Sequence, residues 1–126
     1  MSASLKLDLD ALPDGPLLVA VSGGLDSVAL AHALTKAERS ITIGHVHHGI
    51  RRESDEEEQL VLGLAADLGV GVRVAHLQLD TARTGSLQEI ARNARYAALA
   101  TMANDLEAVA VVTAHHADDQ AETVLI

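Results

Sequence analysis

Four short apolar runs limit what this chain can become. Residues 17–21, 41–47, 71–77 and 108–113 are built largely from Leu, Val, Ile and Ala and have strand length. Between them the apolar spacing changes to the helical one. Residues 25–38 predict a first helix, apolar almost all round. Leu60, Val61, Leu64, Ala65 and Leu68 mark a second helix, opened by Glu53 or Ser54 and stopped by Gly69. Leu87, Ile90, Ala91, Ala94 and Ala98 mark a third, with Ser86 and Glu89 at capping-box spacing. Residues 115–126 read as a loop entering a fourth helix. Strand followed by helix, four times, predicts a three-layer α/β fold, a Rossmann-like parallel sheet with helices on both faces. Residues 1–16 form a lead-in rich in turn residues, whose Leu5, Leu7, Leu9 and Leu12 can pack onto the body. Residues 17–126 form the domain proper. Val124-Leu125-Ile126 still follows a helical pattern with no stop signal, so the chain reads as truncated at its C-terminal end.

Ligands of such sheets bind beyond the carboxyl ends of the strands. The unusual residues of this sequence gather there. After the first run comes Ser22-Gly23-Gly24-Leu25-Asp26-Ser27, leading straight into helix. Glycines let backbone approach a ligand closely, and the first helical turn offers unpaired N–H groups, so this is an anion site suited to phosphate. It has no Gly-Lys-Ser/Thr and is not a Walker A loop. Asp26 needs a reason to stand beside phosphate: a magnesium ion, an ammonium-bearing substrate, or simply a helix cap.

The second strand ends in His45-Val46-His47-His48, expected to line an adenine pocket. A zinc site there would lack a local cysteine or carboxylate. Asp55, Glu56, Glu57 and Glu58 suit the first turn of a helix and read as a solvated start. Arg92 and Arg95, one turn apart, could hold a phosphate or a transition-state charge, or form surface ion pairs. His115, Asp119 and Glu122 fall at i, i+4 and i+7 and could hold a divalent metal or a cationic substrate. An acidic helix start capped by Asp118 is the alternative. His32 and His76 read as ordinary surface or core residues.

The whole composition excludes some classes. There is no cysteine, hence no disulfide or thiolate chemistry within these 126 residues. With no Phe or Trp and one Tyr, the core must be aliphatic. No apolar run is long enough to span a membrane and no leader is evident, so a cytoplasmic protein is expected. A formal charge of -9 leaves little surface for a nucleic-acid backbone.

The loop at 22–27 resembles the SGGxDS loop of N-type ATP pyrophosphatases, the PP-loop superfamily. His45-Val46-His47-His48-Gly49-Ile50-Arg51, Leu87-Gln88-Glu89, Ala91-Arg92 with Ala94-Arg95-Tyr96, and Thr113-Ala114-His115-His116-Ala117-Asp118-Asp119-Gln120-Ala121-Glu122-Thr123 are similar to one branch, the tRNA(Ile)-lysidine synthetases. The resemblance implies a PP-loop fold, like that of the adenine nucleotide alpha hydrolases. It implies a ligase that adenylates the wobble cytidine of tRNA(Ile) with a CAU anticodon, using ATP and Mg2+. Free L-lysine then displaces AMP. It assigns Ser22, Gly23, Gly24, Leu25, Asp26, Ser27 and His48 to the nucleotide, with Asp26 a possible contact of its Mg2+. Asp26, Asp119 and Glu122 would take the lysine ammonium. Arg95 and His115 would sit at the α-phosphate, with Arg92 a candidate assistant. Relatives of this branch continue well past residue 126 and hold tRNA with regions absent here. These residues alone are therefore expected to bind ATP weakly if at all, and not to complete the reaction. A homodimer is compatible with the resemblance. The alternatives are a PP-loop tRNA thiolation enzyme, which the lack of cysteine opposes, or a nucleotide-binding fragment without catalysis.

Overall fold

The computed structural model describes residues 12–47, 54–77, 87–115 and 120–125. In chain order these form β1 (Leu17–Ala20), α1 (Leu25–Lys36), β2 (Ile41–His47), α2 (Ser54–Leu68), β3 (Gly71–His76), α3 (Leu87–Asp105), β4 (Ala110–His115) and β5 (Gln120–Leu125). The five strands make one sheet in the order β3-β2-β1-β4-β5. The first four are parallel, as the alternation of runs predicts.

β1 is central and buried throughout, which is why its sequence is a continuous apolar run rather than an alternating one. Its side chains serve two cores. Leu17, Val19 and Val21 pack with Ile41, Ile43, Ala110 and Val112 beneath Leu30, Ala31 and Leu34 of α1 and Val61, Leu64 and Ala65 of α2. Leu18 and Ala20 pack with Val111 against Leu99, Met102 and Ala103 of α3 on the other face. The buried helix residues fall at i, i+3, i+4 spacing, the stripe a helix turns toward a sheet. Leu12 joins the first core, and the Arg39 guanidinium donates to the Pro13 carbonyl. The last described part of the lead-in is therefore packed onto the body.

β5 overturns one expectation. The segment read as a fourth helix is, over Gln120–Leu125, a strand antiparallel to β4, with His115 opposite Gln120, Thr113 opposite Glu122 and Ala110 opposite Leu125. A helix from residue 117 to 126 would be about ten residues long, below the length that stands without packing. The open edge of β4 instead offers a full row of backbone partners.

Gly44 shows how closely α3 approaches the sheet. A Cβ built there would lie 3.0 Å from Leu18 Cδ1 and 3.2 Å from Met102 Sδ. Gly44→Val should therefore overpack this layer and lower stability by about 1–3 kcal/mol in denaturant unfolding. An unchanged unfolding midpoint would contradict this account of the contact.

Candidate functional site

The glycine turn between β1 and α1 is organised by its own serines. Ser22 N–H donates to Ser27 Oγ at 3.2 Å, Ser27 Oγ donates to the Gly24 carbonyl at 3.0 Å, and Gly24 N–H donates to Ser22 Oγ at 3.3 Å. Ser27 is buried, whereas Ser22 and Gly24 are exposed. Gly23 has φ +101, a conformation that a side chain disfavours. Gly24 is the N-cap of α1 and supplies no side-chain cap. The helix start thus keeps N–H groups for an incoming anion. Asp26 lies two residues inside the helix rather than at its cap, so the capping alternative for Asp26 falls. Leu25 is 88% exposed beside the turn.

Ser22, the first residue of the turn, borders a cleft of about 180 Å³ at the carboxyl edge of the sheet. Ala20, Val21 and Ser22 line it from β1 and the turn, and Gly44, His45 and Val46 line it from β2. Glu57 enters from the first turn of α2, and Arg95 and Leu99 enter from α3. Both helices begin at this edge because each follows a strand that ends there. Arg95 is thus brought beside the turn. Arg92 is exposed on the same helix flank, and the two guanidinium carbons lie 5.6 Å (Arg92) and 5.8 Å (Arg95) from the Tyr96 ring centroid. At that range both can make cation–π contacts with the ring.

The buried polar atoms lacking a hydrogen-bond partner among the described residues are His45 Nε2, Ser54 Oγ and Thr113 Oγ1. They occur near the end of β2, at the first residue of α2 and near the end of β4, all at the carboxyl edge. An unpaired buried polar group costs about 1–3 kcal/mol. Of the three, His45 is among the residues that line the cleft.

The histidines at the second strand's end separate into different roles. His45 is 2% exposed and its Nδ1 lies 2.8 Å from the Val21 carbonyl. His47 Nε2 donates to Asp55 Oδ1 at 2.7 Å, and His76 Nε2 to Glu58 Oε1 at 2.6 Å. The two rings lie 4.9 Å apart. The acidic start of α2 is therefore more than a solvated turn, because it ties the ends of β2 and β3. His76 likewise has a specific acidic partner. Among the described residues no group of three His, Cys, Asp or Glu could hold a metal ion.

His48 and Asp119 lie outside the described residues, as do His116 and Asp118. His115 and Glu122 are placed by their backbones alone. His115 closes β4, and Glu122 lies opposite Thr113 on β5. Thr113 follows Val112, which pairs with Val19, so Glu122 stands level with Ala20, two strand spacings or about 10 Å across the sheet. The helical i, i+4, i+7 face proposed for His115, Asp119 and Glu122 does not form, since Glu122 is on a strand. Glu57, Leu99, Ser54 and Thr113 were not among the site residues expected from the sequence, although Ser54 was read as a helix opener and Thr113 as part of a family-like motif. The acid of Glu57 was absorbed by the helix dipole, and Leu99 left no signal.

The turn, its open helix start and the strand order agree with a comparison against family models. The model described as the PP-loop domain, named for ATP binding, matches residues 3–126. This chain belongs to the PP-loop domain family. Among curated relatives, the tRNA(Ile)-lysidine synthase of Exiguobacterium sibiricum is 45% identical over 115 residues, covering 91% of this chain and 27% of that protein. That of Novosphingobium aromaticivorans is 45% identical over 127 residues, covering 99% and 38%. That of Thermus thermophilus is 44% identical over 117 residues, covering 90% and 23%. The PP-loop chain thus spans roughly a quarter to two fifths of the length of these relatives. Among solved structures, the U34-tRNA thiolase NcsA of Methanococcus maripaludis superposes with a TM-score of 0.78 at 18% identity, covering 90% of this chain and 42% of that one. The NH3-dependent NAD synthetase of Campylobacter jejuni gives 0.60 at 20% identity, covering 77% and 45%. At such identities these two likenesses speak for the fold. No helix among the described residues is long and apolar enough to cross a membrane.

The Asp55 hydrogen bond raises the His47 pKa above its ordinary 6.5, outweighing the opposing effect of burial, and the charges of Asp55 and Glu58 add smaller upward contributions. A raised pKa contributes stability that is full below the unfolded value and is lost as pH rises through the folded one. The titration midpoint of the His47 ring, followed by NMR, should therefore fall toward 6.5 in Asp55→Asn. The stability difference between wild type and this variant should be larger at about pH 6 than at about pH 9. Identical His47 midpoints in the two proteins would show that the pair does not form.

Proposed function

We propose that this chain is the ATP-binding part of a tRNA(Ile)-lysidine synthetase. The reaction would adenylate the wobble cytidine of a tRNA(Ile) with a CAU anticodon and ligate L-lysine to it, releasing pyrophosphate and then AMP. The observation that carries the reading is a glycine turn feeding a helix start whose cap residue is Gly24, with Ser22 of that turn sharing one cleft with Arg95. Such a cleft suits the charge of a polyphosphate. The names of the curated relatives supply the choice of substrate.

In this reading residues 17–126, with the packed end of the lead-in, form the nucleotide-binding domain. Ser22, Gly23, Gly24, Leu25, Asp26 and Ser27 receive the phosphates, and the β2 end with His48 receives the base. Arg95 and His115 meet the α-phosphate, with Arg92 at hand. Asp26, Asp119 and Glu122 take the lysine ammonium, each by analogy with the motif it matches. Magnesium would come with the triphosphate. It commonly needs only one or two protein carboxylates beside phosphate oxygens, which Asp26 could supply, and it would neutralise phosphate charge. The domain's work is alignment and charge stabilisation. Contacts to tRNA are expected from regions outside this chain, given its acidic balance, and the cytoplasm is where its substrates meet.

Calorimetry with ATP and magnesium tests the first half of the proposal. Arg95→Ala should weaken ATP binding about tenfold, some 1.4 kcal/mol. An unchanged affinity would remove Arg95 from the phosphate site, and no binding by wild type would overturn the nucleotide reading. In the full-length protein with tRNA, Asp119→Ala should spare ATP affinity while removing the lysine-dependent release of AMP. Equal loss of both would show that Asp119 serves the nucleotide instead.

A further inference from the structure

We infer that His45 is a positioning residue that sets the direction in which the glycine turn leaves the sheet, acting through its Nδ1 proton on the Val21 carbonyl. The pairing of β1 with β2 ends at Ala20 opposite Gly44. Val21, one residue further, is held by β2 at both its polar groups. Its N–H donates to the Gly44 carbonyl at 2.9 Å, and its carbonyl accepts from His45 Nδ1 at 2.8 Å. The next residue, Ser22, already gives its N–H to Ser27 Oγ inside the turn. The imidazole therefore acts as a side-chain rung where the strand ladder stops and the turn begins.

The chemistry fixes the tautomer. A carbonyl can only accept, so Nδ1 carries the proton, and in the neutral ring Nε2 is left as an acceptor. That Nε2 is buried and has no partner among the described residues. An aliphatic side chain would fill the same space without leaving a buried acceptor unpaired. Packing therefore does not explain a histidine here, whereas the bond to Val21 does. His45 also lines the cleft beside Ser22, so a shift of the Val21 carbonyl would move the turn's N–H groups relative to any bound phosphate. A misplacement of about 1 Å is enough to weaken such a site strongly.

This assignment rests on the phosphate-binding reading of the turn, and its test has one arm that does not. Three variants separate the two ring nitrogens. The Asn amide nitrogen can stand where Nδ1 stands, the Gln amide reaches the place of Nε2, and Leu fills the volume with neither. In His45→Asn, ATP affinity should stay within about threefold of wild type, while His45→Gln and His45→Leu should lose about tenfold or more. Amide exchange at Val21 and Ser22, whose N–H groups are bonded to the Gly44 carbonyl and to Ser27 Oγ, should rise about tenfold in the free Gln and Leu variants and stay near wild type in Asn. Exchange in the core strand β1 should be alike in all four proteins. Equal behaviour of Asn and Gln, or wild-type protection of the turn in His45→Leu, would overturn the assignment. Absence of ATP binding by wild type would remove the phosphate reading, and the exchange comparison would still decide whether His45 sets the turn.

Discussion

Burial of β1 on both faces is the constraint from which the rest of the structure follows. A central strand covered by α1 and α2 on one side and by α3 on the other must be apolar along its whole length. It can present polar groups only where it leaves the sheet. Val21 is the last buried residue before that exit, and Ser22 is the first exposed one. The change from buried ladder to open turn takes place within a single peptide. The side chains nearby are arranged around that change.

The turn itself is ordered before any ligand arrives. Its hydroxyls satisfy the backbone of Ser22 and Gly24, so binding need not first organise the loop. Preorganised donors lose less freedom on binding and stabilise charge more effectively than mobile ones. The same economy is visible in Gly24, which gives α1 a start without a side-chain cap that a phosphate would have to displace.

Local order made some features readable from sequence and distance hid others. β2 and β3 were legible almost to the residue, because apolar runs are bracketed by polar or glycine positions. The end of α2 was legible too, since Gly69 takes φ +69 there. The ends of α1 and α3 were not, because Glu38 and Glu107 adopt the left-handed conformation, at φ 61 and 55, that glycine usually marks. The glycine turn announces itself because its residues are consecutive. The His45 contact with Val21 spans 24 positions and leaves no periodic trace. β5 was misread because Glu122 and its neighbours fit a helical spacing, while the pairing partner that decides the matter lies on another strand. Glu57 was hidden by its company, since an acid in a first turn already has a sufficient electrostatic reason to be there.

The two histidine–carboxylate pairs have a geometric corollary. Asp55 and Glu58 stand three residues apart on α2, and each reaches a different strand. A helical turn fastened at two points cannot readily roll about its own axis. Glu57 sits between the fasteners, with its Cβ 3.6 Å from where a Cβ on Gly23 would lie. The helical turn that carries Glu57 beside the glycine turn is thus braced from outside the cleft, by imidazoles that are not among its lining residues.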